Sequence, residues 1–170
     1  MRLGEVLALN WNDIDFSRNT ITVSKSVYFN KGVSYISPPK TKASIRQIVI
    51  NSKLMNELEV WQHKQYEMLK QFSNDDCTDL QLFQSSPVPI TKDRIEKYYH
   101  DLLKRNSNPK KIRIHDLRHS QASLLINQGE DYLVVKERLG HASITSTIDT
   151  CSHLYPSKQI ALADKLDSLF

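Results

Sequence analysis

A chain of 170 residues with 39% hydrophobic content can bury one proper core and is short for two large domains. Lysine and arginine total 23 against 19 acidic residues, and the net charge of +4 suits a polyanionic partner without demanding one. No stretch approaches the roughly 18 apolar residues of a membrane span, Met1 to Glu5 has no signal-peptide layout, and Cys77 and Cys151 form neither a C-x-x-C pair nor a dense disulfide framework. The expectation is a soluble, cytoplasmic protein.

Leu3, Val6 and Leu7 follow helical spacing until Asn10, Asn12 and Asp13 break it, so the chain is expected to open on a short helix. An opening with no lead-in suggests that something N-terminal to it has been removed. Three β-rich runs follow, Ile21 to Val23, Val33 to Ile36 and Ile45 to Ile50, separated by Asn30-Lys31-Gly32 and Pro38-Pro39. They predict a small three-stranded antiparallel sheet. Leu54, Leu58, Trp61, Leu69 and Phe72 mark one face of a long helix, which the polar Asn74-Asp75-Asp76 interrupts. Thr91 is placed to cap a helix carrying Ile95, Tyr98, Tyr99, Leu102 and Leu103, ended by Asn106 to Pro109. Further helices are expected over about 115–128 with Gly129 as the stop, over Leu133 to Leu139 ending at Gly140, and after Pro156, where Ile160, Ala163, Leu166 and Leu169 share a side. The fold class is therefore α+β, mainly helical, with the small sheet near the N-terminus.

His115 and Arg118 are three apart in Ile114-His115-Asp116-Leu117-Arg118, so on a helix both project from one face and can grip one anion together. Alone, that spacing is weak and fits a solvated helix face equally well. The block Leu139-Gly140-His141 adds a histidine on a turn constrained by a glycine stop. Taken singly, Arg2 reads as an exposed terminal residue, Lys40 as a loop charge and His141 as a helix C-cap donor.

Taken together and in order, Arg2-Leu3-Gly4-Glu5, Pro39-Lys40-Thr41-Lys42, His115-Asp116-Leu117-Arg118-His119, Leu139-Gly140-His141 and Thr150-Cys151-Ser152-His153 resemble the signature of the tyrosine recombinase family of phage integrases. The resemblance spans nearly the whole chain and implies a catalytic domain over 1–170, without the N-terminal core-binding domain that completes the clamp around DNA. It implies that Arg2 and Arg118 grip the scissile phosphate, with Lys40 as general acid and Lys42 as its fallback. His115 accepts the nucleophile's proton or braces the phosphate, and His141 donates a hydrogen bond to a non-bridging oxygen, roles that the sequence does not separate. Position 151 is the nucleophile's place. The implied reaction needs neither metal nor nucleotide cofactor; the implied partners are double-stranded DNA and further copies of the chain, in a tetramer assembled through the C-terminal helix 157–170. A phosphodiester that gathers negative charge in its transition state suits guanidinium forks, and a lysine on a hairpin suits protonation of a departing 5′-oxygen.

Where the family reads Thr-x-Tyr-Ser-His, this chain carries Cys151. Three explanations compete: inactivation, natural or engineered; a working thiolate nucleophile; and replacement by Tyr155. The thiolate is disfavoured because a phosphorothiolate ester lacks the balanced exchange of one oxygen ester for another, and Tyr155 because it lies about one helical turn away. The expected state binds DNA and cleaves it poorly. A DNA-binding remnant of the same fold is the main rival, and a helical protein-interaction module the second. Outside the site are placed His119, expected to face away from the phosphate, His153, Cys77, and the aromatics Trp11, Trp61, Tyr98 and Tyr99, expected in the core. The basic run Lys104, Arg105, Lys110, Lys111 and Arg113 reads as solvated surface or as a phosphate contact.

Overall fold

The computed structural model describes residues 1–30, 33–39, 44–72, 80–105, 112–143, 145, 163 and 166–167. Helix α1 (Leu3–Ala8) is followed by a 3-10 turn at Trp11–Asp13, then strands β1 (Ile14–Asp15), β2 (Thr20–Val23), β3 (Ser26–Asn30), β4 (Val33–Ser37) and β5 (Arg46–Val49). Helices α2 (Ser52–Leu69), α3 (Lys92–Lys104), α4 (Ile114–Asn127) and α5 (Tyr132–Leu139) complete the described elements. Among the described residues no helix is long and apolar enough to cross a membrane.

The expected α+β architecture with a small antiparallel sheet is present, with a different strand membership. Three strands pair in the order β1-β2-β5, with Ile21 opposite both Ile14 and Ile48. The Val33 to Ile36 run belongs instead to a separate hairpin, in which β4 pairs with β3 and Tyr28 faces Tyr35. The reason is local: β3 supplies a partner only a short turn away, and loop closure favours the nearer strand. Asp15 was not part of any predicted strand; its carboxylate accepts the Ser17 and Arg18 amides at 3.0 Å each and so builds the turn between β1 and β2.

One core cluster joins Leu9, Trp11, Ile14, Ile21, Met55 and Leu82. Within it the Trp11 indole donates to Gln65 Oε1 at 2.6 Å, and the Gln65 amide donates to the Gln81 and Gln84 carbonyls, so a fully buried glutamine is satisfied on both ends. The face of α2 that turns inward runs through Met55, Leu58, Gln65 and Leu69, while Leu54, one position off that stripe, and Phe72, beyond the end of the helix, stay exposed. A second cluster joins Ala122, Ile126, Val135 and Leu139 across α4 and α5. A third joins Leu7, Ala8 and Val27 and seats the hairpin on α1. There Gly4 is required by close approach: a Cβ would lie 2.6 Å from the Val27 carbonyl oxygen.

Trp11 is in the core as expected, and Trp61 is partly buried, donating to the Leu82 carbonyl at 2.6 Å. Tyr98 is not. It is half exposed, with its hydroxyl accepting from Arg94 Nε at 3.0 Å, because the apolar side of α3 lines an open cavity of about 620 Å³ and none of its described residues is buried. Tyr99 lines the same cavity, partly buried.

Candidate functional site

Arg2 stands at the N-terminus of α1, where Glu5 lies three residues on and turns back. The Glu5 carboxylate accepts the Arg2 amide at 2.8 Å and Arg2 Nη1 at 2.9 Å. Its remaining capacity goes to Arg46 at the start of β5, whose Nη2 donates to Glu5 Oε2 at 3.0 Å. Glu5 is 2% exposed, and burial alone opposes its ionisation; the hydrogen bonds from Arg46 and Arg2 more than offset this and hold its carboxyl below the usual range.

Arg46 also donates to the Ser44 carbonyl at 2.8 Å and, through Nε, to the Arg138 carbonyl at 2.9 Å at the end of α5. One planar guanidinium thus joins α1, β5 and α5, which a single-point lysine ammonium cannot reproduce. The close approach demands Gly140. That residue sits at φ 68, in the left-handed region, and a Cβ on it would meet Arg46 Nη1 at 2.7 Å. Its amide bonds back to the Lys136 carbonyl at 2.9 Å, and the His141 amide reaches the same carbonyl at 3.1 Å, so the imidazole is carried on a pinned turn.

The same turn receives both other arginines. Arg118 Nη2 donates to the Leu139 carbonyl at 2.7 Å, and Arg2 Nη2 to the Gly140 carbonyl at 3.4 Å. Arg118 is 6% exposed, and its Nη1 is buried with no hydrogen-bond partner among the described residues. A buried, charged donor without an acceptor costs free energy comparable to a lost hydrogen bond, and such a group calls for an anion.

Charge in the cluster is unbalanced in the same sense. Among the described residues, Arg2, Arg46 and Arg118 are offset by the single carboxylate of Glu5. Burial, then the Arg2 guanidinium, lower the Arg118 pKa to about 10, which still leaves it cationic at neutral pH. Burial lowers His141 to about 4, assisted by Arg118, Arg2 and His119. Burial also lowers His115, with help from His119, Arg118 and Arg113 and against Asp116. Both imidazoles are therefore neutral at pH 7, able to donate from one nitrogen and accept at the other.

Of the residues singled out in the sequence, Arg2, Arg118 and His141 converge on the turn after α5, and His115 lies with Arg118 on the wall of the α3–α4 cavity. Lys40 and Cys151 lie outside the described residues, as do Lys42, Tyr155, His153, Cys77 and all of 157–170 except 163, 166 and 167. The His119 ring packs edge-on against His115 with centroids 4.7 Å apart, one helical turn along α4. Arg113 is engaged by Asp116 at 2.9 Å at the start of α4. Glu5, Ser44 and Arg46 were missed. The Arg2-x-x-Glu5 spacing signals Glu5, whereas Arg46 reads as any outward strand residue. Among the described residues no group of three or more His, Cys, Asp or Glu side chains is placed to hold a metal ion.

A family model described as "Phage integrase family" matches residues 1–157. Among curated proteins, the chain is 45% identical over 169 residues to the ICEBs1 integrase of Bacillus subtilis (strain 168), covering 99% of this chain and 46% of that protein. It is 28% identical over 174 residues to the integrase of Staphylococcus phage L54a, covering 99% and 49%. Among solved structures, the Tn1549 transposon integrase in complex with transposon right end DNA superposes with a TM-score of 0.77 at 24% identity, over 98% of this chain and 55% of that one. XerA recombinase does so at 0.66 and 22% identity, over 92% and 53%. The chain spans about half the length of the curated relatives it matches, and the structural likenesses show the fold.

Proposed function

The chain belongs to the phage integrase family of tyrosine recombinases, and from that premise we propose that it is the catalytic domain of an enzyme that breaks and rejoins strands of double-stranded DNA. The observation that carries this reading is the orphaned Nη1 of Arg118, buried beside an Arg2 that hangs from the next carbonyl along. A tetrahedral phosphate between the two forks accepts from the Arg118 Nη1 that has no partner among the described residues, with Arg2 alongside. Charge that develops on its non-bridging oxygens then meets donors already held in place.

In the proposed reaction the nucleophile at position 151 forms a bond to phosphorus as the bond from phosphorus to the 5′-oxygen breaks. Lys40 gives the departing oxygen its proton, and a neutral imidazole, His115 or His141, accepts the nucleophile's proton or braces the phosphate. The reverse attack by a 5′-hydroxyl restores the diester, so no metal or nucleotide enters the balance. The substrate is duplex DNA, copies of the chain assemble on it through 157–170, a core-binding domain lies outside this chain, and the setting is cytoplasmic.

Cys151 favours a second reading for the chain as it stands, a domain that clamps DNA and cleaves it poorly or not at all. A thiolate attack trades an oxygen ester for a phosphorothiolate and unbalances the return step. A suicide DNA substrate separates the readings. Covalent capture is expected for Cys151→Tyr and little for the parent chain; robust capture by the parent, lost in Cys151→Ser, overturns this ranking.

A further inference from the structure

Hairpin β3–β4 shows one face to the core and the other to a cavity. Val27 is buried and Phe29 partly buried against α1 and α3, whereas Tyr28 and Tyr35 point the opposite way, as alternation along a strand requires. The two tyrosines are direct cross-strand partners, stacked with ring centroids 5.3 Å apart and planes 18° from parallel, yet they remain 52% and 43% exposed. Two large rings on the solvent side of a two-stranded hairpin contribute little to the core they turn away from.

Their position gives them a use. Tyr28 lines a cavity of about 530 Å³ whose other walls include Arg2, Ser44, Pro38 and Pro39. Glu5 is the carboxylate there, and it is occupied by two guanidiniums, so the hollow does not repel an anion. Successive nucleotides of one strand advance by only about 3.4 Å along the helix axis, so the neighbours of a phosphate held at Arg2 lie within reach of this hollow, which Arg2 itself lines.

We propose that the Tyr28–Tyr35 stack is a platform for the DNA strand, packing against the deoxyribose faces of nucleotides next to the phosphate gripped by Arg2 and Arg118. This rests on the phosphate-site reading above and extends it from one phosphate to the nucleotides beside it. Deoxyribose is the same at every nucleotide, so an aromatic ring packed on it buries apolar surface with little regard to sequence and adds affinity without adding charge.

That last property supplies the test. Anisotropy of a fluorescent duplex is measured against salt for the parent chain, Arg118→Ala, the pair Tyr28→Thr with Tyr35→Thr, and the pair Tyr28→Phe with Tyr35→Phe. The threonine pair is expected to bind roughly tenfold more weakly with an unchanged salt slope, while Arg118→Ala weakens binding and flattens the slope. The phenylalanine pair, which keeps the rings, is expected within about twofold of the parent. Parent-like binding by the threonine pair overturns the platform, as does an equal loss in the phenylalanine pair. Should the threonine pair lose its circular-dichroism signature, p-benzoylphenylalanine in place of Tyr35 decides: it must crosslink to the duplex far more than the same group in place of Tyr66, and equal yields overturn the proposal. A parent chain that binds no duplex sinks the DNA reading itself, and the platform with it.

Discussion

Arg2, at the start of α1, and Arg118, on α4, hang from consecutive carbonyls: Arg2 Nη2 on Gly140 and Arg118 Nη2 on Leu139. Two like charges gathered on one turn are unfavourable unless something negative joins them. Among the described residues only part of that compensation is internal, because Glu5 contacts Arg2 and Arg46 directly and Arg118 keeps a buried Nη1 without a partner there.

Arg118→Met removes a buried donor that has no acceptor among the described residues, but also the Nη2 bond to the Leu139 carbonyl, so the folded domain is expected to stay within about 1–3 kcal/mol of the parent while duplex binding weakens by roughly 10-fold to 100-fold, the range for a hydrogen bond to a charged group. Urea unfolding and duplex titration on the same samples check both halves. A large loss of stability with unchanged binding contradicts it.

Glu5→Gln removes the one carboxylate between two guanidiniums and is expected to destabilise the domain by about 3–5 kcal/mol, the cost of breaking a buried ion pair from one side. Because the folded carboxyl is held below its usual range, Glu5 contributes its stabilisation above the unfolded pKa and loses it as pH falls through the lower folded value. The gap between Glu5→Gln and the parent in urea midpoint should therefore close in acid.

His141, lowered from 6.5 to about 4, works in the same pH direction by the opposite charge change. Below pH 6.5 the unfolded imidazole takes a proton that the folded one refuses until about pH 4, so stability should decline through that window, and less steeply in His141→Gln. A phosphate in the site relieves the cationic surroundings, so duplex binding is expected to raise the imidazole pKa and take up protons. NMR titration of the ring, with and without duplex, checks both.

Gly140→Ala combines a positive φ with a Cβ 2.7 Å from the Arg46 guanidinium and is expected to cost at least about 1–3 kcal/mol while shifting the His141 resonances. Gly129→Ala, at φ 93 but with open space around it, should cost the backbone term alone and leave His141 unmoved.

What the sequence displayed follows from distance along the chain. Helix stops at Gly129 and Gly140 and the Thr91 cap are local signals, and each appears in the structure at its place. His115 and Arg118 sit one turn apart on α4, so their common face needed only the helical period. The hairpin partner of Val33 to Ser37 needed a comparison of competing strands that periodicity does not provide. Arg46 was hidden for the same reason: nothing in Ile45-Arg46-Gln47 shows that a helix end 92 residues later offers its carbonyl. The His119 ring contact follows from the same helical period, since a spacing of four brings a ring back to His115.

The central claim is that Arg2 and Arg118 hold one and the same phosphate, and a double-mutant cycle on duplex affinity tests it most directly. With Arg2→Ala, Arg118→Ala and the double variant, the account predicts that the two losses fail to add by roughly 1 kcal/mol or more, as groups sharing a ligand do. Losses that sum within about 0.5 kcal/mol mean two separate contacts and contradict it.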